Sequence, residues 1–133
     1  MDSFDKGIIQ RLSIDSRTSF LSIARDLGVS EGTIRQRVAK LVNKGIIKKF
    51  TVELGTSTTA FVEIITSSRV PTRKISEKIQ KLGASKVLEV TGRFSIVAFL
   101  QAEDLQKLNS LLEEIRSIDG VIQTETFPVL SEC

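Results

Sequence analysis

The sequence that decides the fold is SFLSIARDLGVSEGTIRQRVAKLVNK, at residues 19–44. Ser19 stands where it can cap a first helix over residues 20–27, and Gly28 can take the left-handed conformation that ends such a helix. Ser30 then stands at the N-cap of a second helix, which runs to the end of the quoted sequence. Two capped helices joined by so short a turn predict a helix-turn-helix.

The second helix of this motif has one apolar and one polar face. Ile34, Val38 and Leu41 recur at helical spacing and predict a buried stripe. On the opposite face Gln36 can pair with an adenine edge, and Lys40 with a guanine or a phosphate, if the helix lies in a DNA major groove. The candidate DNA-binding residues are Arg17, Ser30, Glu31, Gly32, Thr33, Arg35, Gln36, Arg37, Lys40, Lys48 and Lys49. The alternative is that these side chains are simply solvated, as on most surface helices.

Two flanking segments complete the predicted N-terminal domain. A helix over residues 4–13 closes a small three-helix core. Residues 46–54 alternate loosely between polar and apolar positions and are rich in β-branched side chains, which predicts a strand. With that strand the domain becomes a winged helix-turn-helix, whose wing grips the DNA backbone through Lys48 and Lys49.

A short linker separates two predicted domains. The run GTSTT at residues 55–59 is the one stretch with linker composition. We therefore expect a helix-turn-helix domain with its wing strand over residues 1–54 and a second domain over residues 55–133. Charge divides in the same place, because residues 1–53 carry a net +4 and residues 54–133 a net −1. A basic module beside a near-neutral one is typical of nucleic-acid binding.

The second domain alternates between strand and helix patterns. Its predicted elements are a strand at residues 60–66, a helix from Pro71 to just before Gly83, strands at 87–91 and 96–101, a helix from Asp104 to just before Asp119, and a strand at 121–129. This βαββαβ order is that of the ferredoxin-like fold. The fold class of the chain is therefore predicted to be α+β, with a helix-turn-helix domain followed by a ferredoxin-like domain.

The predicted sheet carries apolar residues on both of its faces. Residues 96–100 are continuously apolar, and Phe61 and Ile65 oppose Val62 and Ile64 across the first strand. Two helices cover only one face of such a sheet, so we expect a second copy of the chain to cover the other face in a homodimer. The alternative is a monomer whose core is simply rich in isoleucine.

Composition excludes several classes of protein. The chain of 133 residues has no histidine, which removes Ser-His and Cys-His catalysis and the usual zinc sites. Its single cysteine, Cys133, builds neither a disulfide nor a metal cluster. We therefore predict no catalytic residues, no metal site and no enzymatic activity. The chain has no apolar run long enough to span a membrane and begins with acidic and polar residues, so we expect a cytoplasmic protein.

The two predicted domains together resemble the Lrp/AsnC (feast/famine) transcription regulators. The resemblance is carried by NKGII at residues 43–47, TGRF at residues 91–94 between the central strands, and DGV at residues 119–121 after the last helix. With the helix-turn-helix it covers nearly the whole chain. It implies a sequence-specific regulator that binds double-stranded DNA, forms a homodimer and assembles further, often into an octamer of four dimers. It also implies that a free amino acid binds between dimers as the effector, with no other cofactor.

The resemblance also implies an effector loop. In the family this loop reads glycine, any residue, an aromatic residue and aspartate, and it falls here on Gly92, Arg93, Phe94 and Ser95. Ser95 replaces the aspartate, so a carboxylate for the effector's ammonium group must come from another acid, such as Glu89 or Glu125. The predicted effector-binding residues are Thr91, Gly92, Arg93, Phe94, Ser95 and Glu125.

Two other functions remain open from the sequence. An architectural protein that coats or bends DNA would need strong phosphate contacts and little base readout. A small-metabolite enzyme on the ferredoxin-like half would leave the helical half as a mere protein contact. The missing histidine and the basic helix-turn-helix argue against the enzyme.

Overall fold

A computed structural model describes residues 1–55 and 58–133. Its contacts separate two units, Met1–Glu53 and Leu54–Cys133. Residues 56 and 57, which belong to the predicted linker, lie outside the described residues. No helix among the described residues is long and apolar enough to cross a membrane. Each unit has a hydrophobic core of its own.

Three helices form the N-terminal unit, namely α1 (Ser3–Ile14), α2 (Phe20–Leu27) and α3 (Glu31–Asn43). They confirm the predicted helix-turn-helix and the helix before it. The apolar stripes of the three helices meet in one core, because each helix repeats its apolar residues at helical spacing. The buried residues of this core are Ile8, Leu12, Ile23, Ala24, Ile34 and Val38.

Helix caps and one glycine fix the connection between α2 and α3. The hydroxyls of Ser19 and Ser30 each accept a hydrogen bond from the amide three residues further on, at 3.1 and 3.2 Å. Gly28 ends α2 with a φ of 70°, a conformation that favours glycine. The Val29 amide then donates to the Ala24 carbonyl at 3.0 Å, so α2 and α3 are joined by a defined turn.

The strand predicted over residues 46–54 is wrong, because the structure has no regular secondary structure there. The first two amides of this segment donate instead to the Leu41 carbonyl, at 2.9 and 3.1 Å. A strand needs a neighbour to satisfy its backbone groups, and no strand in the described ranges pairs with this segment. The described residues 46–54 therefore form no wing strand, and Lys48 and Lys49 lie on an exposed irregular segment.

The C-terminal unit confirms the predicted βαββαβ order. Its elements are β1 (Thr58–Thr66), α4 (Thr72–Lys81), β2 (Lys86–Glu89), β3 (Ile96–Ala102), α5 (Leu105–Arg116) and β4 (Val121–Pro128). The four strands form one antiparallel sheet in the order β2-β3-β1-β4. Helix α4 contacts β2 and β3, and α5 contacts β3 and β4, so both helices lie on the same face of the sheet.

Alternate residues of the two central strands point towards the helices. Those of β1 and β3 that are fully buried are Ala60, Val62, Ile64, Ile96, Ala98 and Leu100. They pack with residues of α4 and α5, chiefly Ile75, Ile79, Leu108, Leu112 and Ile115. Two apolar residues of β3, Val97 and Phe99, take no part in this core.

Val97 and Phe99 of β3 face away from the helices. Phe99 is the register partner of Phe61 on β1, and Phe61 is also the register partner of Phe127 on β4. The ring centroids of Phe61 and Phe127 are 4.8 Å apart and stacked, and those of Phe61 and Phe99 are 6.2 Å apart. We call these three residues the aromatic row. Helices α4 and α5 both pack on the opposite face.

Candidate DNA interface and ligand cleft

A cleft of about 360 Å³ runs along the polar face of α3. Side chains of α3 and of the start of the chain line it, among them Thr33, Gln36, Arg37 and Lys40 from α3 and Met1, Asp2 and Asp5 from the N-terminal end. Gln36 and Lys40 are exposed, as a side chain that reads base edges must be. The structure therefore brings four of the predicted DNA-binding residues onto one surface.

Two polar residues at the start of α3 form hydrogen bonds with each other. The Ser30 hydroxyl caps the helix and also shares a hydrogen bond of 2.9 Å with the Thr33 hydroxyl. Gly32 is exposed, and a Cβ atom added there would meet only the Ser30 Oγ, at 4.0 Å. Packing within the described chain does not require glycine at this position, which leaves bare backbone at the start of the helix.

Arg35 is held by two neighbours. Its Nη2 lies 2.6 Å from Glu31 Oε1, one helical turn earlier, and its guanidinium lies 5.5 Å from the centre of the Phe20 ring. A carboxylate on one side and an aromatic face on the other limit the rotamers of an arginine side chain. Arg35 is nevertheless exposed and remains within reach of a ligand on this face.

Arg37 joins α3 to the start of α1. Its Nη1 lies 2.6 Å from Asp2 Oδ2 and 3.3 Å from Asp5 Oδ1, and its guanidinium lies 5.2 Å from the Phe4 ring centre. The hydrogen bond from Arg37, assisted by one from the Asp5 amide, lowers the pKa of Asp2 from 3.8 to about 2. The same bond to Asp2 raises the pKa of Arg37. Two acids share this guanidinium, so it has a role inside the unit that the sequence did not reveal.

Two other predicted cations lie together at the far end of α1. Arg17 and Lys49 line a cleft of about 530 Å³ whose walls include the exposed apolar side chains of Ile14, Phe50 and Val52. Lys48 is exposed but lines neither this cleft nor the one along α3. The structure thus divides the predicted DNA-binding residues into a group on α3 and a separate group beside α1.

The predicted effector residues also fall into two groups. Arg93, Phe94 and Glu125 line a cleft of about 260 Å³ on the sheet face opposite the helices, together with Glu63 and Ile65. We call this space the ligand cleft. Its groups include a cation that can hold a carboxylate, carboxylates that can hold an ammonium group, and two apolar walls.

Thr91 and Ser95 instead line an open depression with Thr72 and Glu89. Glu89 already pairs with Arg73, with 3.2 Å between Oε1 and Nε. Gly92 stands between the two groups with a φ of 145°, so the turn changes direction there. Of the two acids that the sequence offered in place of an aspartate, only Glu125 lies in the ligand cleft.

Glu63 is a ligand-cleft residue that the sequence reasoning missed. It is the register partner of Glu125, and both side chains point away from the helices. The signal was present, because Glu63 is the only charged residue in the apolar strand β1. An isolated acid in a strand is usually solvated, however, and only the β1–β4 register shows that a second acid lies beside it.

Both units match known protein families. A model of the AsnC-type helix-turn-helix domain matches residues 1–42, and a model of the Lrp/AsnC ligand binding domain matches residues 59–133. The chain belongs to the Lrp/AsnC family. The resemblance drawn from the short motifs of the sequence is thereby confirmed, and the ligand cleft lies within the ligand-binding domain of that family.

Relatives and solved structures of the Lrp/AsnC family resemble the whole chain. The HTH-type transcriptional regulator LysM of Saccharolobus solfataricus is 38% identical over 133 residues, covering 98% of this chain and 94% of the relative. The structure of E. coli AsnC has a TM-score of 0.77 at 29% identity, with 99% of this chain and 93% of that chain covered. A feast or famine regulatory protein from M. tuberculosis, complexed with L-methionine, has the same fold, with a TM-score of 0.82 at 21% identity over 98% of this chain and 92% of that chain. The chain is therefore a transcriptional regulator of the Lrp/AsnC type with a ligand-binding domain.

The ion pair between Asp2 and Arg37 predicts a specific sensitivity to acid. Asp2→Asn keeps an oxygen that can cap α1 but removes the charge, so we expect the variant to unfold at a lower urea concentration than the wild type near neutral pH. The folded-state pKa of about 2 lies below the ordinary 3.8. The advantage of the wild type is therefore complete well above pH 4 and is lost as the pH falls from about 4 through about 2. Urea unfolding followed by circular dichroism at several pH values measures the difference.

Glu53→Gln is the control for this experiment. Glu53 is exposed, and the structure shows no cation of the described residues within 4.0 Å of it. A stability difference between wild type and Asp2→Asn that stays constant across this pH range would contradict the ion-pair assignment.

Proposed function

We propose that the protein is a sequence-specific DNA-binding regulator that acts as a homodimer and responds to a free amino acid. The observation that carries the DNA-binding part is the exposure of Gln36 and Lys40 along α3, on a helix whose other face is locked into the core. A helix fixed in this way can enter the major groove without rearrangement. Its glutamine offers both a donor and an acceptor to an adenine edge.

The ion pairs on α3 favour sequence readout over an architectural role. Binding without sequence preference depends on cations that neutralise phosphates. Arg35 pairs with Glu31, and Arg37 pairs with two aspartates, so both arginines of this helix already have acidic partners in the protein. Lys40 and the group of Arg17 and Lys49 then supply the phosphate contacts, and the polar face of α3 supplies the discrimination between bases.

The aromatic row is the basis for the homodimer. Its three phenylalanines lie side by side on the sheet face opposite α4 and α5. Contiguous apolar surface of this kind is typical of a protein interface. A second copy that packs its own aromatic row against this one removes both surfaces from water. The resulting dimer carries two copies of α3, which we call the recognition helix.

The ligand cleft is the basis for the amino-acid effector. Arg93 provides a cation for the α-carboxylate, and Glu125 provides a carboxylate for the α-ammonium group in place of the aspartate that Ser95 replaces. The volume of about 260 Å³ suits a small molecule. The M. tuberculosis feast or famine regulatory protein is complexed with L-methionine, so at least one protein of this fold binds an amino acid.

Base readout by Gln36 is tested by Gln36→Ala. We expect the substitution to cost about 1–3 kcal/mol of binding free energy on the cognate DNA and to relax the preference at one base pair. Binding to random DNA should change little, because an uncharged side chain contributes nothing to counterion release. Fluorescence anisotropy with specific and random duplexes at several salt concentrations measures both effects.

Gln10→Ala and Arg17→Ala are the comparison variants for this experiment. Gln10 is an exposed glutamine on α1 that lies outside the α3 cleft, so its removal should leave both affinities unchanged. Arg17→Ala removes a cation assigned to the phosphate contacts, so it should weaken binding to both kinds of DNA and reduce the salt slope. Equal losses on specific and random DNA for Gln36→Ala would exclude Gln36 from base readout.

The homodimer is tested by two neighbouring residues of β3 that point in opposite directions. Phe99→Lys places a charge on the uncovered face, so we expect a folded protein with half the wild-type mass. Ala98→Lys places the same charge in the core, where the alanine is fully buried, so we expect the C-terminal unit to unfold. Light scattering and circular dichroism report mass and folding. A monomeric wild type at micromolar concentration would contradict the dimer.

A further inference from the structure

We propose that the ligand cleft selects amino acids whose side chain carries a positive charge. This selectivity rests on the proposed binding of an amino acid in this cleft and adds the class of side chain that the cleft accepts. It follows from an excess of negative charge at one end of the uncovered sheet face.

The excess comes from two glutamates placed side by side. Glu63 of β1 and Glu125 of β4 are register partners in the antiparallel sheet, and both line the ligand cleft. Directly opposed residues of antiparallel strands have their Cβ atoms about 4.5–5.5 Å apart, and like charges at such positions destabilise the sheet. A cation that binds between two carboxylates held this close offsets the repulsion between their negative charges.

The described residues of the chain do not supply that cation. No lysine or arginine nitrogen in the described ranges lies within 4.0 Å of either carboxylate. Glu89, in the neighbouring depression, differs from these two glutamates because it forms an ion pair with Arg73. The Glu63–Glu125 pair is thus left to a partner from outside the unit.

The side chains that line the cleft carry a net negative charge, which favours a ligand with a net positive charge. Arg93 carries one positive charge, and the two glutamates carry two negative charges. The α-carboxylate of an amino acid neutralises Arg93, and its α-ammonium group neutralises one glutamate. A neutral side chain leaves the second glutamate uncompensated, whereas a side-chain ammonium or guanidinium group pairs with it.

The apolar walls fit the same class of ligand. Ile65 and Phe94 line the cleft beside the charged groups. The stem of a long basic side chain consists of methylene groups that pack on apolar surface, while its charged end remains free to pair. The ring of Phe94 also presents a π-face, which attracts a cation.

The test compares two ligands that differ in one charge. L-lysine and L-norleucine have carbon chains of equal length, and only lysine carries the side-chain ammonium group. Isothermal titration calorimetry on the full chain should show lysine binding at least about tenfold more tightly than norleucine, which is the size expected for one charge-assisted hydrogen bond. L-arginine should also bind more tightly than norleucine.

Substitutions of the two glutamates test whether they cause the preference for lysine over norleucine. In Glu63→Gln and in Glu125→Gln the ratio of lysine to norleucine affinity should fall by about tenfold, because one carboxylate remains for two cationic groups. Glu114→Gln is the control, since Glu114 is an exposed residue of α5 outside the ligand cleft, and its ratio should equal that of the wild type. Circular dichroism verifies that all variants are folded.

The possible failures are distinguishable. Equal affinities for lysine and norleucine would overturn the charge selectivity and leave the amino-acid effector in place. No binding of any of the twenty amino acids at millimolar concentration, with DNA binding intact, would overturn the effector itself. If Glu63→Gln and Glu125→Gln change the mass in light scattering but leave the affinity ratio unchanged, the pair belongs to the subunit interface and the selectivity is overturned.

Discussion

Two helices cover only one face of a four-stranded sheet, and this constraint governs the C-terminal unit. Helices α4 and α5 bury one side of the central strands, while Phe61, Phe99 and Phe127 lie on the opposite side. Apolar surface left in water is the driving force for association. In the proposed homodimer, the same surface that joins two chains also brings two recognition helices to one DNA duplex. The ligand cleft opens on this face, so in the proposed homodimer a ligand in the cleft is close to the surface that joins the two chains.

Two arginines of the helix-turn-helix form ion pairs with acidic side chains of the same unit. Arg35 is held by Glu31 and lies against Phe20, while Arg37 connects α3 to Asp2 at the start of α1. These pairs reduce the positive charge available for phosphates and restrict the arginine side chains. In the proposed function, such a surface depends less on general attraction to DNA and more on the fit of α3 to particular bases.

Much of this structure could be predicted from the sequence, because local signals agree with the packing. The serine caps and Gly28 indicated the helix-turn-helix, since each acts on backbone groups of its immediate neighbours. The strand at residues 46–54 was wrong because a strand depends on a partner that the sequence does not display. Continuous apolar character in β3 concealed which residues face outward, and Glu63 escaped notice because its proximity to Glu125 follows from strand register.

Selection of bound sequences from a randomised DNA library, with the full chain, tests the central claim most directly. A dimer that reads bases through α3 should enrich two related half-sites in inverted orientation, with centres about 10–10.5 base pairs, or a multiple of that distance, apart. Recovery of sequences with no shared motif would contradict base readout, and recovery of a single unpaired half-site would contradict the dimer.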